Sequence, residues 1–106
     1  MTKSQIKQGP ASIESAVDEV LAAPGVVDSA IKAEEDGVQA VVIDCMLDPG
    51  LDAAREAVSI PVIGSGEAAM RAAGTNFAIV TVLQRQERAF ADLARRYGLA
   101  DRMTEI

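Results

Sequence analysis

A chain of 106 residues, 49% hydrophobic and 25% charged, has apolar material for one modest core, which excludes a disordered tail and fits a single domain over 1–106. Its net charge of −6 argues against nucleic acid or an anionic membrane as partner and leaves small molecules and proteins. With no His and a single Cys, internal disulfides and most zinc and triad schemes are excluded, so chemistry falls to Cys45, carboxylates, hydroxyls or backbone dipoles.

Met1–Gln8 is polar and little patterned, and Gly9-Pro10 punctuates it, so it reads as a loose lead-in. It lacks the apolar core of a secretory leader, and no run approaches the ~20 apolar residues of a membrane span. A cytoplasmic location is therefore expected. Ser12 is placed to cap a helix whose inner face is Ile13, Val17, Val20 and Leu21, with Glu14, Asp18 and Glu19 toward water. Pro24-Gly25 is expected to end it. Val27, Ala30 and Ile31 carry a second helical stripe through the solvated run Lys32–Asp36, with Gly37 as its stop.

Val38 and Ala40 to Ile43 read as a strand buried on both faces, which delivers Cys45 to its carboxyl end. Asp48 and Pro49 follow as N-cap and first-turn residues of a helix to about Val58, with Leu51, Ala54 and Val58 inward and Arg55 and Glu56 outward. A thiol beside an open helix N-terminus is expected to favour thiolate. Ile60 to Ile63 is a second strand, and Gly64-Ser65-Gly66 turns the chain into a helix from about Glu67 to Ala73, ended by Gly74. Phe77 to Leu83 reads as a third buried strand. The last helix runs from about Gln84 to Tyr97, with Phe90, Leu93, Ala94 and Tyr97 on one side and Gly98 closing it.

Alternating helices and strands imply the α/β class: a parallel sheet of three to four strands with helices on both faces, an incomplete flavodoxin-like lobe. Three strands are few, so Met1–Gln8 or Arg102–Ile106 adds one, or another chain completes the edge. Ligands bind beyond the carboxyl ends of parallel strands, where Asp44–Asp48, Gly64–Glu67 and Thr81–Arg85 should converge. Cys45 there is either a small buried hydrophobe or a reactive thiol. Gly64-Ser65-Gly66-Glu67-Ala68-Ala69 fits the dinucleotide pattern G-x-G-x-x-A, but the next strand ends without the acid that would hold a ribose. The broader reading is a tight turn whose helix N-terminus is open to an anion or carbonyl. Asp44 lacks the acidic companions of a phospho-acceptor. Glu67 is a solvated first-turn carboxylate or a catalytic one, and Thr81 a strand former or a substrate contact.

Several blocks together resemble the Asp/Glu/hydantoin racemase superfamily, in particular its hydantoin racemase branch. They are Gly9 to Ser15, Glu35 to Cys45, Asp48 to Glu56 and Pro61 to Met70, and the likeness continues through Phe77 to Leu99. The resemblance implies a cofactor-independent racemase of two α/β lobes, with a cysteine from each lobe on either side of the substrate's chiral carbon. One thiolate removes the α-proton and the other thiol protonates the opposite face, a route made intelligible by enolate stabilisation. By this resemblance Cys45 is the first-lobe catalytic cysteine, Met46, Gly66 and Glu67 lie against the substrate, and Thr81 and Val82 begin the second-lobe contribution, residues 77–106. Family members are much longer and carry their second cysteine in a region beyond Ile106, so the chain reads as a fragment needing a homo-oligomeric mate or a complementing lobe. Met46-Leu47 after the cysteine, in place of the Asn-Thr of relatives acting on free amino acids, favours a neutral cyclic amide such as a hydantoin. The alternative from the same resemblance is a non-catalytic remnant or small-molecule-binding domain.

Overall fold

In the computed structural model of the protein, residues 6, 9, 10 and 12–105 are described. The lead-in Met1–Gln8 therefore lies, apart from Ile6, outside the described residues. Helix α1 spans Ala16–Glu35 without a break, so the expected stop at Pro24-Gly25 does not occur. Pro24 sits inside it, where a missing N–H and a ring clash are costly. What holds the helix together is its second half, where Ala30 is fully buried and Val26 packs on α2 and the sheet. Its cap is Ser15 rather than Ser12: the Ser15 hydroxyl accepts from the Asp18 N–H at 3.3 Å, and the Asp18 carboxylate accepts from the Glu14 N–H at 2.9 Å. At the other end Gly37 closes the helix as expected, its N–H donating to the Glu34 carbonyl and that of Val38 to the Ala33 carbonyl.

The inner face of α1 also differs from the expectation. Val17, Val20 and Leu21 are 65%, 70% and 57% exposed, while Ala22 and Ala30 are buried. Small side chains make the contact because the helix lies close to its neighbour: a Cβ placed on Gly50 would sit only 3.1 Å from the Ala23 carbonyl and 3.3 Å from Val26.

Strand β1 (Val41–Ile43), helix α2 (Leu51–Ala57) and strand β2 (Val62–Gly64) form one β-α-β unit, with β1 and β2 parallel in the register Val41↔Val62, Val42↔Ile63 and Ile43↔Gly64. Ala30, Ile43, Leu51, Ala54, Val58 and Val62 make one core, so α1 and α2 cover one face of this pair. On the other face Val42 and Ile63 stand opposite each other and are 62% and 41% exposed. Glu34, read as part of a solvated run, ties α1 to this unit by accepting the N–H groups of Ser59 at 2.7 Å and Ile60 at 3.2 Å.

Helix α3 (Ser65–Ala72) leads to the second unit: strand β3 (Phe77–Ala78), helix α4 (Gln86–Arg96), a single 3₁₀ turn over Ala100–Arg102, and strand β4 (Met103–Glu105), parallel to β3. The additional strand expected within Arg102–Ile106 is thus present. Among the described residues the four strands form two separate parallel pairs. Strand β3 stops at Ala78 instead of Leu83, its pairing with β4 taking in Phe77 and Ala78 with an irregular register between them. Beyond it Val80 and Val82 are almost fully exposed. Leu47, Met70, Phe77, Phe90, Leu93, Ala94 and Leu99 form the second core.

Candidate functional site

The parallel register Ile43↔Gly64 sets the carboxyl ends of β1 and β2 side by side, so the loop after β1 meets the start of α3. Cys45 is half-buried there and packs against both cores, at the joint between the two β-α-β units. Its carbonyl accepts the Asp48 N–H at 2.9 Å, closing a turn over Cys45–Asp48.

Asp48 is the residue that organises this loop. Only 5% exposed and with φ +52, it directs its carboxylate away from α2, whose cap is Gly50 with no side-chain bond, so the expected N-cap role is not the one it plays. It caps α3 instead: Oδ1 accepts the Gly66 N–H and Oδ2 the Glu67 N–H, each at 2.8 Å. A third donor, the Tyr97 hydroxyl, reaches Oδ2 at 2.5 Å. Tyr97 is delivered by the end of α4, where Gly98, with φ +72, donates to the Arg95 carbonyl and Leu99 to that of Ala94, stopping the helix at the right turn. Burial first, and then the Asp48 carboxylate, push the Tyr97 phenol well above its ordinary value.

The two glycines of the G-x-G stretch have their reason here. A Cβ on Gly64 would lie 2.6 to 2.8 Å from the Asp48 carboxyl, and one on Gly66 would collide with the Met46 carbonyl and lie 2.9 Å from Asp48 Oδ2. They make a seat for the loop that carries Cys45. The start of α3 is consequently not open to an anion or carbonyl, since the chain's own carboxylate fills it.

The expected thiolate environment is also corrected. Burial pushes the Cys45 thiol up, the Leu47 backbone N–H opposes this, and the carboxylates of Asp48, Glu19 and Asp44 push it further up. Glu67 is engaged: its carboxylate meets Arg55 at 2.9 Å and Arg71 at 3.4 Å, and these guanidinium groups, Arg55 foremost, hold it below the usual carboxylate range. Arg55 also donates from Nε to the Val62 carbonyl at 2.9 Å, so it is a strap across α2, β2 and α3 rather than a free outward charge. A depression of about 230 Å³ lies between α1, the start of α2 and the end of α4, lined in part by Glu19, Asp48, Asp52, Arg96 and Tyr97, and Cys45 does not line it. Among the described residues no group of three or more Cys, Asp or Glu stands close enough to hold a metal ion.

A family profile described as Asp/Glu/Hydantoin racemase matches residues 1–106. The chain belongs to that family. It is 47% identical over 103 residues to the hydantoin racemase of Pseudomonas sp. (strain NS671), covering 94% of this chain and 41% of that one. It is 44% identical over 92 residues to the hydantoin racemase of Rhizobium meliloti, covering 84% and 38%. The solved allantoin racemase from Klebsiella pneumoniae superimposes with a TM-score of 0.90 at 41% identity, over 93% of this chain and 42% of that one. The chain thus spans about two fifths of the length of these relatives.

Within this racemase family chain, the residues singled out from sequence fall into two groups. Cys45, Met46, Gly66 and Glu67 come together at the joined ends of β1 and β2, with Met46 41% exposed over it. Thr81 and Val82 follow β3: the Thr81 hydroxyl donates to the Gln86 side chain at 2.7 Å, Gln86 donates to the Ile13 carbonyl at 3.2 Å, and Val82 is 94% exposed. Two residues went unrecognised, the capping role of Asp48 and the contact from Tyr97. Ser65 also stands out, because its hydroxyl is buried without a hydrogen-bond partner among the described residues.

Proposed function

We propose that this chain is the first-cysteine part of a cofactor-independent racemase acting at the carbon alpha to a carbonyl of a cyclic ureide, in the manner of a hydantoin racemase. The observation that carries the reading is the match of the whole chain to relatives named as racemases of hydantoin and of allantoin, both cyclic ureides. An α-hydrogen between a ring carbonyl and a ring nitrogen is acidified because its removal leaves an enolate. Inversion needs one group to take that proton and another to return one on the opposite face, with no net change in charge or oxidation state. Cys45 suits the returning half, since its surroundings favour the protonated thiol. Met46 and the Gly66-Glu67 backbone would lie against the ring, and Thr81 and Val82 would reach it only once the second half of the site is assembled.

Racemisation runs in both directions, so Cys45 returns the proton for one enantiomer and removes it for the other, while the group on the opposite face comes from another polypeptide segment, either a complementing lobe or Cys45 of a second copy. The open face of Val42 and Ile63 supports such a partner, since parallel sheets are normally covered on both sides. Incubation of an enantiopure 5-substituted hydantoin with the purified protein in deuterium oxide, followed by α-proton NMR and optical rotation, tests the reading. Exchange above the uncatalysed rate should vanish in Cys45→Ser, and full exchange in that variant overturns the assignment. Exchange with retained rotation would indicate one working face.

A second reading, a non-catalytic binding domain of the same fold, is favoured by the acidic surroundings of the thiol and the filled start of α3. It predicts no exchange with the unaltered protein.

A further inference from the structure

We propose that Asp48 is the positioning residue for Cys45: its carboxylate, held by the Tyr97 hydroxyl and the N–H groups of Gly66 and Glu67, latches the Cys45 turn onto the start of α3 and the end of α4. The inference rests on the reading of Cys45 as the acid/base group, and its test is separable from that reading.

A buried carboxylate is costly unless its lone pairs are matched by donors. Asp48 meets that requirement with three donors from two helical ends that lie 18, 19 and 49 residues away in sequence. Its left-handed φ of +52, uncommon for a residue with a Cβ, aims the carboxylate at α3 while its N–H turns back to the Cys45 carbonyl. The loop is therefore pinned at its own turn, at α3 and at α4, and the glycine seat leaves no room for a shifted arrangement. The thiol lies between the two cores at this pinned point, so whatever fixes the turn fixes the thiol. The charged and titratable groups about it are Glu19 from α1, Asp44 and Asp48 from its own loop, and Tyr97 from the end of α4.

The rate of alkylation of Cys45 by iodoacetamide, followed from about pH 6 to about pH 11, reads both the ionisation and the accessibility of the thiol without any substrate. In Asp48→Asn the midpoint should fall, because a negative charge leaves its neighbourhood and the α3 N–H groups are no longer fully capped. In Tyr97→Phe, which keeps the carboxylate but removes its third donor, the rate at the alkaline plateau should rise several-fold as the turn loosens. Circular dichroism checks that each variant is folded. A merely structural role would lower the urea midpoint and leave the alkylation curve in place. A curve superimposable on that of the unaltered chain, in Asp48→Asn or, should that variant not fold, in Tyr97→Phe, overturns the assignment. Loss of racemisation in Cys45→Ser is decided separately, so the two ideas fail independently.

Discussion

The carboxylate of Asp48 accepts the backbone N–H of Gly66 at 2.8 Å, so a loop from one strand end caps a helix that begins at the other. This bond and its neighbours join the two β-α-β units at the point where Cys45 packs against both cores.

Gly66→Ala tests how tightly that joint is closed. The new methyl would meet the Met46 carbonyl and lie 2.9 Å from Asp48 Oδ2, both parts of a pinned loop that cannot yield as a flexible side-chain tip can. A destabilisation of about 2 kcal/mol is expected, as for other insertions into filled space. For a domain of this size that corresponds to a fall in Tm of roughly 10 °C. Thermal unfolding by circular dichroism reads it, and an unchanged Tm would mean the seat is looser than the contacts indicate.

The Arg55–Glu67–Arg71 cluster makes a pH prediction whose sign is set by the carboxylate. Glu67 titrates below its ordinary value near 4.5, so its contribution is fully present above that value and is lost as pH falls through the lowered one. Arg55 is 40% exposed, which limits the worth of the pair to about 0.5–1 kcal/mol. Glu67→Gln should therefore be weaker than the unaltered chain at neutral pH, with the two urea-unfolding midpoints converging as pH drops below about 4. Parallel curves down to the acid end would show that the cluster is not coupled to folding.

How much of this was legible in the sequence depends on whether the cause was local. The buried faces of α2 and α4 and the stops at Gly37 and Gly98 followed from spacing and turn chemistry within a few residues. Spacing makes strand β3 too long because a strand is defined by its partner, and the partner of Phe77 and Ala78 is the distant segment Met103–Glu105. The face of α1 was misread because hydrophobicity favours Val17, Val20 and Leu21, whereas the close approach at Gly50 selects alanines. The G-x-G stretch was visible as a pattern, but its reason lies in a carboxylate that only the folded chain brings to it. Cys45 itself was legible as a residue at a strand end, while its acidic neighbours include Glu19 of α1, which no local pattern places there.

Tyr97→Phe should alter the alkaline limb of stability. The phenol titrates above its ordinary value of 10.0, so its contribution is present below that value and is lost as pH rises above it, when the unfolded chain ionises and the folded one resists. At neutral pH the variant should lose about 1 kcal/mol with the hydrogen bond to Asp48. Above about pH 10 the gap between the two proteins should narrow. The Cys45 thiol titrates in both, and its alkylation curve, measured alongside, separates its part from that of the phenol. Urea midpoints measured in pairs along this range give the result, and a gap that widens with pH contradicts the assigned bond.

Pro24→Ala is expected to stabilise the protein. The proline sits on the exposed side of α1, in the interior of a helix of 20 residues, where it removes one backbone donor and crowds the preceding turn. Alanine restores the donor to the Val20 carbonyl and is the residue best suited to a helix interior, a difference of up to about 3 kcal/mol in helix propensity. Proline also restricts the unfolded chain, which reduces the net gain to about 1–2 kcal/mol. Pro24 is exposed, so the alkylation rate of Cys45 should stay as it is while the urea midpoint rises. If the midpoint falls instead, the proline sets the path of α1, and the packing of Val26 and Ala30 on the first core depends on it.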